Sequence, residues 1–240
     1  EDAIDLNGAT VIPGLCDVHT HGNSNYDFSD GSYEGMVTMA RYWAKEGITS
    51  FAVTTTTMPY EVLDKALMTG LRLTKEQPEG CGRLMGIHLE GPFLAPEFKG
   101  AMPEHLLKKN DIPLIRHYQE LAEGNIRYIT ISPELDGVQD MIPTLKELGI
   151  VVGIGHSGAT YDQAMSSIAQ GVTVGTHVGN ASRLFHQHEP AIFGAVMESD
   201  VYCETICDGR HLVPGSVRMY AKCKGMERIV AITDSIMAAG

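Results

Sequence analysis

Val151-Val152-Gly153-Ile154-Gly155-His156 is a short apolar run that gives way at its end to a histidine. Apolar character at nearly every position is what a parallel strand buried on both faces requires. Behind it, Tyr161–Gln170 has helical spacing, Thr160 and Gln163 form an approximate capping pair, and Gly171 supplies a stop. The same unit recurs on either side. Leu15–His19, Ile48–Thr54, Leu84–Glu90, Arg127–Ser132, Val172–His177, Tyr202–Asp208 and Ile229–Asp234 complete a set of eight such runs. Tyr33–Lys45, ending before Gly47, and Tyr60–Thr74, beginning after Pro59, read as intervening helices. This alternation predicts an α/β fold, a parallel sheet closed into a (β/α)8 TIM barrel. An open doubly wound sheet is the alternative. Its first strand would lead into a glycine-rich phosphate loop, whereas here the chain continues Thr20-His21-Gly22-Asn23.

The remaining composition bounds the function. At 240 residues the chain suits one barrel core, and 43% apolar with 20% charged residues is ordinary for a globular protein. No stretch approaches the roughly 20 apolar residues of a membrane helix, and no export signal opens the sequence. The net charge of −12 argues against a nucleic-acid partner but leaves room for a small phosphorylated substrate, which needs only a few local donors. Five cysteines show no paired spacing, and Cys203 and Cys207 lack a second pair for a zinc knuckle. Buried, reduced thiols in a cytoplasmic protein are the expectation. Ile4–Ile12 reads as a short strand pair around Asn7-Gly8, so residues 1–12 are expected to be the remnant of a small β domain before a barrel over 13–240. The chain stops six residues after Asp234, without a helix to cover the eighth strand, and a partial chain is therefore expected.

In a barrel of this kind the C-terminal strand ends converge on one mouth. At those ends stand His19, His21, Glu90, His156, His177 and Asp234. A lone histidine is more often structural, but this many ligand-type side chains at strand ends predict a metal site. His19 and His21, two apart on a strand, face the same side, as do His88 and Glu90. His88 is expected to support or pack rather than to ligate.

Pro13-Gly14-Leu15-Cys16-Asp17-Val18-His19-Thr20-His21-Gly22 resembles the opening motif of the amidohydrolase superfamily. His88-Leu89-Glu90-Gly91-Pro92-Phe93, Gly155–Ala159, Thr176-His177 with Asn180-Ala181, Asp208–His211 and Thr233-Asp234 are similar, in order, to the N-acetylglucosamine-6-phosphate deacetylase family. The resemblance covers nearly the whole chain and implies the metal-dependent hydrolase type of barrel. Many amidohydrolases end strand four in a carboxylated lysine. Here that end reads Ser132-Pro133-Glu134, and the resemblance gives the carboxylate role to Glu90. It implies Glu90, His156 and His177 as ligands of a principal metal, His19 and His21 as the place of a second, and Glu90 as the bridge. Zinc is the first expectation for the one or two divalent ions, with iron and manganese as alternatives.

The implied reaction is hydrolysis of the acetamide of N-acetylglucosamine 6-phosphate, giving glucosamine 6-phosphate and acetate. An amide is a poor electrophile with a poor leaving group, so metal-activated water and a polarised carbonyl answer both needs. Asp234 is then the base that takes the water proton and returns it to the departing amine. The resemblance points to Asn180, the Ala181 backbone amide and His211 for the phosphate side of the substrate, with Asp208 orienting that loop, and to Ala101 and Met102 as further substrate contacts. Two departures concern the sugar. Met102 stands where a polar residue is common, and His188 where a phosphate-binding arginine is expected, a weaker and pH-dependent anion partner. Arg183, His186 and Arg210 are candidates to compensate. The competing readings are a related amidohydrolase acting on another N-acetyl hexosamine phosphate or a cyclic amide, and a non-catalytic metal-binding barrel, which should have shed part of the ligand set. The resemblance also implies a cytoplasmic homodimer.

Overall fold

The computed structural model describes residues 5–240. Its main sheet has eight strands in sequential order: β1 Leu15–Thr20, β2 Ile48–Thr55, β3 Arg83–Glu90, β4 Ile126–Ile131, β5 Val151–Ile154, β6 Val174–Gly175, β7 Tyr202–Ile206 and β8 Ile229–Ile232. Every neighbouring pair is parallel. The first and last strands meet through a polar seam. Thr233 Oγ1 donates to Asp17 Oδ2 at 2.5 Å, and the Asp234 amide donates to the His19 carbonyl at 2.9 Å. Burial pushes the Asp17 carboxyl up, against the hydrogen bonds it accepts from Thr233 and His19. The expected barrel is present, with Asp17 fastening it.

Among the described residues, seven α-helices wrap the sheet: α1 Tyr33–Lys45, α2 Tyr60–Glu76, α3 Ile112–Leu121, α4 Ile142–Glu147, α5 Tyr161–Gln170, α6 Ala191–Glu198 and α7 Pro214–Lys224. Their starts are set locally. Ser32 accepts from Gly35 N, Asp111 accepts from Leu114 N, and Thr160 with Gln163 makes a complete capping box, which satisfies amides that the helix leaves free. The apolar core lies between the helices and the outer face of the sheet, where Trp43 packs on Phe51 with ring centroids 4.5 Å apart and Leu67, Ile87, Tyr118 and Leu145 are fully buried. The barrel interior is instead hydrogen-bonded. Thr54, His88, Thr130, Thr176 and Tyr128 form one buried chain with contacts of 2.7–3.2 Å. Polar groups sealed from water need such partners, and they make a rigid floor under the barrel mouth.

Two expectations differ from the structure. The strand pair over Ile4–Ile12 is not formed among the described residues. Ile4 itself lies outside them, and residues 5–12 contain only the Asn7-Gly8 turn, closed by Ala9 N donating to Leu6 O at 2.9 Å. A two-stranded ribbon with nothing packed on its face gains too little to persist, and Leu6, Val11 and Ile12 are exposed. The cysteines are not uniformly buried: Cys203 is, but Cys16, Cys207 and Cys223 are exposed. The first strand also leads into an unanticipated hairpin, Gly22–Asn23 against Tyr26–Asp27. The chain after β8 holds it, with Ser24 N donating to Ala239 O and Asn25 N to Met237 O at 2.7 and 2.8 Å. No helix among the described residues is long and apolar enough to cross a membrane.

Candidate metal centre

The six side chains expected at the strand ends meet at one mouth. His19 lies within β1 and Glu90 closes β3, while His21, His156, His177 and Asp234 lie just beyond their strands. His156, His177 and Asp234 have φ of 48°, 28° and 49°, in the left-handed region that residues with a Cβ rarely adopt. The chain thus turns sharply two residues past each of these strand ends. Strain of this kind persists where the surroundings enforce it, and it gathers at functional sites.

Glu90 is the hub. Its Oε1 lies 2.9 Å from His177 Nε2, 3.1 Å from His156 Nε2 and 3.4 Å from His19 Nε2, and its Oε2 lies 3.2 Å from His21 Nε2. Asp234 Oδ1 faces the same nitrogens, 3.3 Å from His21 Nε2 and 3.5 Å from His19 Nε2. His156 Nε2 and His177 Nε2 are 3.2 Å apart. His156 Nδ1 donates to the Phe98 carbonyl at 2.7 Å, so in the neutral ring Nε2 carries the lone pair. Lone pairs converging this closely repel unless a cation or protons stand among them. Among the described residues, His19 Nε2, His21 Nδ1 and His177 Nδ1 are buried without a hydrogen-bond partner. The donor set, nitrogen with carboxylate oxygen, fits a divalent transition metal. Glu90, His156 and His177 form one group with atoms close enough to share an ion, and His19, His21 and Glu90 another.

Electrostatics follow from this crowding. Burial pushes the Glu90 carboxyl up, but the surrounding imidazoles, His19 foremost, hold it well below the usual carboxylate range. Burial likewise pushes Asp234 up, yet the His21 hydrogen bond and the His19 charge bring it down to about 2. His21 is lowered by burial and raised more by Asp234 and Glu90, to about 9. In the metal-free chain protons on imidazole therefore neutralise the acids. His88 differs. Burial, then the His19 charge, hold its imidazole well below the ordinary value, and its ring stacks on Tyr128 at 3.8 Å. It sits beneath the cluster as part of the polar floor.

A cavity of about 480 Å³ opens over these groups, and Ala101, Met102, Asn180, Ala181 and His211 line it together with Glu90, His156, His177 and Asp234. The Met102 sulfur accepts from Thr57 N at 3.2 Å, which leaves an apolar wall at that position. His211 is held by Asp208. The aspartate accepts from the His211 ring and from the backbone amides of Arg210 and His211, all at 2.8 Å, and these bonds keep its carboxyl at about 2.

His188 is the exception among the expected site residues, because it does not line this cavity. A backbone bridge between His186 and Glu189 pulls its loop outward, and the exposed His188 ring meets only Gln187 and His186. Glu189 anchors that course by accepting from Tyr161 N at 2.7 Å and Ala191 N at 3.0 Å. Arg183 and Arg210 do not line the cavity either. Sequence reasoning passed over Glu204, which is buried inside β7 with Oε2 3.2 Å from His19 Nδ1 and 3.3 Å from His177 N. Its one sequence signal was an acid in the middle of an otherwise buried strand.

Comparison with known proteins agrees with this geometry. The description "Amidohydrolase family" matches residues 10–240. An N-acetylglucosamine-6-phosphate deacetylase of Lysinibacillus sphaericus is 34% identical, over 100% of this chain and 62% of that protein. An N-acetylgalactosamine-6-phosphate deacetylase of Escherichia coli O157:H7 is 31% identical, over 96% of this chain and 61% of that protein. The crystal structure of N-acetyl-D-glucosamine-6-phosphate deacetylase from Mycobacterium smegmatis is similar with a TM-score of 0.89 and 33% identity, over 94% of this chain and 59% of that one. The chain thus spans about three-fifths of the length of the relatives it matches.

Proposed function

Because the chain belongs to the amidohydrolase family, we propose that it hydrolyses the acetamide of N-acetylglucosamine 6-phosphate to glucosamine 6-phosphate and acetate. The observation that carries this reading is the convergence of four imidazole Nε2 atoms on the Glu90 carboxylate at 2.9–3.4 Å. Glu90, His156 and His177 would hold the principal ion, with His19 and His21 available to a second, and zinc suits their nitrogen and oxygen donors. When bound, such an ion supplies a water acidic enough to ionise near neutral pH and a Lewis acid for the amide carbonyl.

The chain's own residues do the rest. Asp234 is ionised at working pH and lines the cavity beside the ligands, so it takes the proton of the attacking water. It then returns that proton to the departing nitrogen, since an amine anion is too basic to leave. Asn180, the Ala181 amide and the Asp208-held His211 line the same cavity and would supply donors to a phosphate. The Met102 wall gives the sugar an apolar contact where hydrogen bonding would discriminate hydroxyl orientation. That wall, with the Escherichia coli relative's name, favours one second reading: the galactosamine epimer. The proposal extends to a cytoplasmic homodimer; the exposed apolar side chains of Leu184 and Phe185 support the dimer. Sedimentation at a monomer's rate would reject the dimer.

The test is acetate release by the zinc-loaded chain from N-acetylglucosamine and N-acetylgalactosamine, each with and without the 6-phosphate. Preference for the phosphorylated gluco form is the expected result. Equal rates with and without phosphate would overturn the phosphosugar reading, and preference for the galacto form would move the assignment to the epimer.

A further inference from the structure

Glu204 is a carboxylate sealed inside the barrel, 1% exposed, and among the described residues no lysine or arginine pairs with it. Burying such a group is costly unless its bonds offset the loss of water, so the bonds it makes are informative. One oxygen, Oε2, serves two partners: His19 Nδ1 at 3.2 Å and the backbone amide of His177 at 3.3 Å. The Glu204 carbonyl also accepts from Val178 N at 3.0 Å, so side chain and backbone together clamp the end of β6 onto β7.

We infer that Glu204 is a positioning residue that sets the proton of His19 and couples the two groups of metal ligands. This rests on the metal-site reading proposed above. The oxygen facing His19 Nδ1 already accepts from the His177 amide, so the ring is set to donate to it from Nδ1. In the neutral ring that a metal would bind, the lone pair is then on Nε2, which faces Glu90 Oε1 at 3.4 Å and Asp234 Oδ1 at 3.5 Å and is itself buried without a hydrogen-bond partner. Without the acceptor, the ring is free to carry its proton on Nε2, where no metal could bind. The negative charge behind the ring also makes Nε2 a better donor to a cation. Through the same oxygen, Glu204 holds the amide of His177, the residue with φ of 28° whose ring joins Glu90 and His156 in one ligand group and His19 and Asp234 in another. The site thus has one carboxylate, Glu90, between its ligands and a second, Glu204, behind them.

The experiment is a double-mutant cycle on zinc affinity, measured by competition with a chelator, with thermal unfolding of each metal-free protein as the folding control. Glu204→Gln keeps the shape and one acceptor and removes the charge, whereas Glu204→Leu removes the acceptor as well. Zinc binding is expected to weaken about 10- to 100-fold, more for Leu than for Gln. In a His19→Ala background the Glu204 substitutions should cost markedly less, because the path through His19 is gone and only the hold on the His177 amide remains. A residue that merely supports the fold would lower affinity by the same factor in both backgrounds, and that additive result overturns the inference. Unchanged affinity in Glu204→Gln and Glu204→Leu overturns it too. A wild-type chain that takes up no zinc instead sinks the metal-site reading itself, so the two failures are distinguishable.

Discussion

Raising the pH of the metal-free chain from 6.5 to 9 should strip about 3 kcal/mol from its stability, and bound zinc should abolish the effect. The structural basis is His21, whose Nε2 lies 3.2 Å from Glu90 Oε2 and 3.3 Å from Asp234 Oδ1. Burial lowers this imidazole, but the two acids raise it further, from 6.5 to about 9. Since the folded value exceeds the unfolded one, the folded chain keeps a proton in this window that the open chain gives up. The stabilisation is therefore complete below 6.5 and is lost as pH climbs through 9. About 2.5 pH units at roughly 1.36 kcal/mol each give the quoted 3 kcal/mol. His19 and His156 are raised as well and act in the same direction. Against a typical total of about 5–15 kcal/mol, this is a large fraction. A cation in the cluster displaces these protons, so the zinc-saturated chain has little left to lose. Urea unfolding at several pH values, with chelator or with excess zinc, measures both curves. A flat metal-free profile, or an equal fall with zinc present, would refute the argument that protons stand in for the metal.

Other substitutions test separate parts of the molecule. Asp234→Asn should lower kcat by about 10²- to 10⁴-fold while metal content by elemental analysis stays unchanged; near-normal acetate release would reject the base. His211→Ala removes a donor that Asp208 holds at the cavity. It should lower kcat/KM on the 6-phosphate substrate about 10- to 100-fold, the worth of one charge-assisted hydrogen bond, and leave the unphosphorylated sugar nearly unaffected. Trp43→Ala opens a hole against Phe51 in the outer core and should cost about 3–5 kcal/mol in denaturant unfolding, with zinc per folded chain unaltered. Thr160→Ala breaks the capping box of α5 and should cost about 1 kcal/mol, with Thr160→Ser restoring most of it.

Local chemistry made much of this chain legible in one dimension. A strand buried on both faces must be apolar along its length, and a helix must satisfy its first amides. The eight runs, the Thr160–Gln163 cap and the helices over Tyr33–Lys45 and Tyr161–Gln170 are therefore readable without coordinates. The same holds for which side chains stand at the strand ends, because six of the eight runs visibly stop at a histidine or an acid and the other two at Thr54 and Ser132. Partnership is not local. The Asn7-Gly8 turn forms as its residues dictate, but its flanks need strands from elsewhere to pair with, and among the described residues none do. His188 follows a motif position toward a phosphate, yet a His186–Glu189 bridge and the Glu189 anchor carry its loop away from the cavity.

The sequence alone thus determined the barrel and the identity of the side chains at its mouth, since those depend on neighbours a few positions apart. Only the tertiary structure decided how those side chains meet. The left-handed turns at His156, His177 and Asp234, the 2.9–3.4 Å convergence on Glu90, and the turning of Glu204 toward His19 arise from closure of the sheet. Closure sets residues from distant strands against one another in a medium that tolerates neither an unpaired charge nor an unshared lone pair.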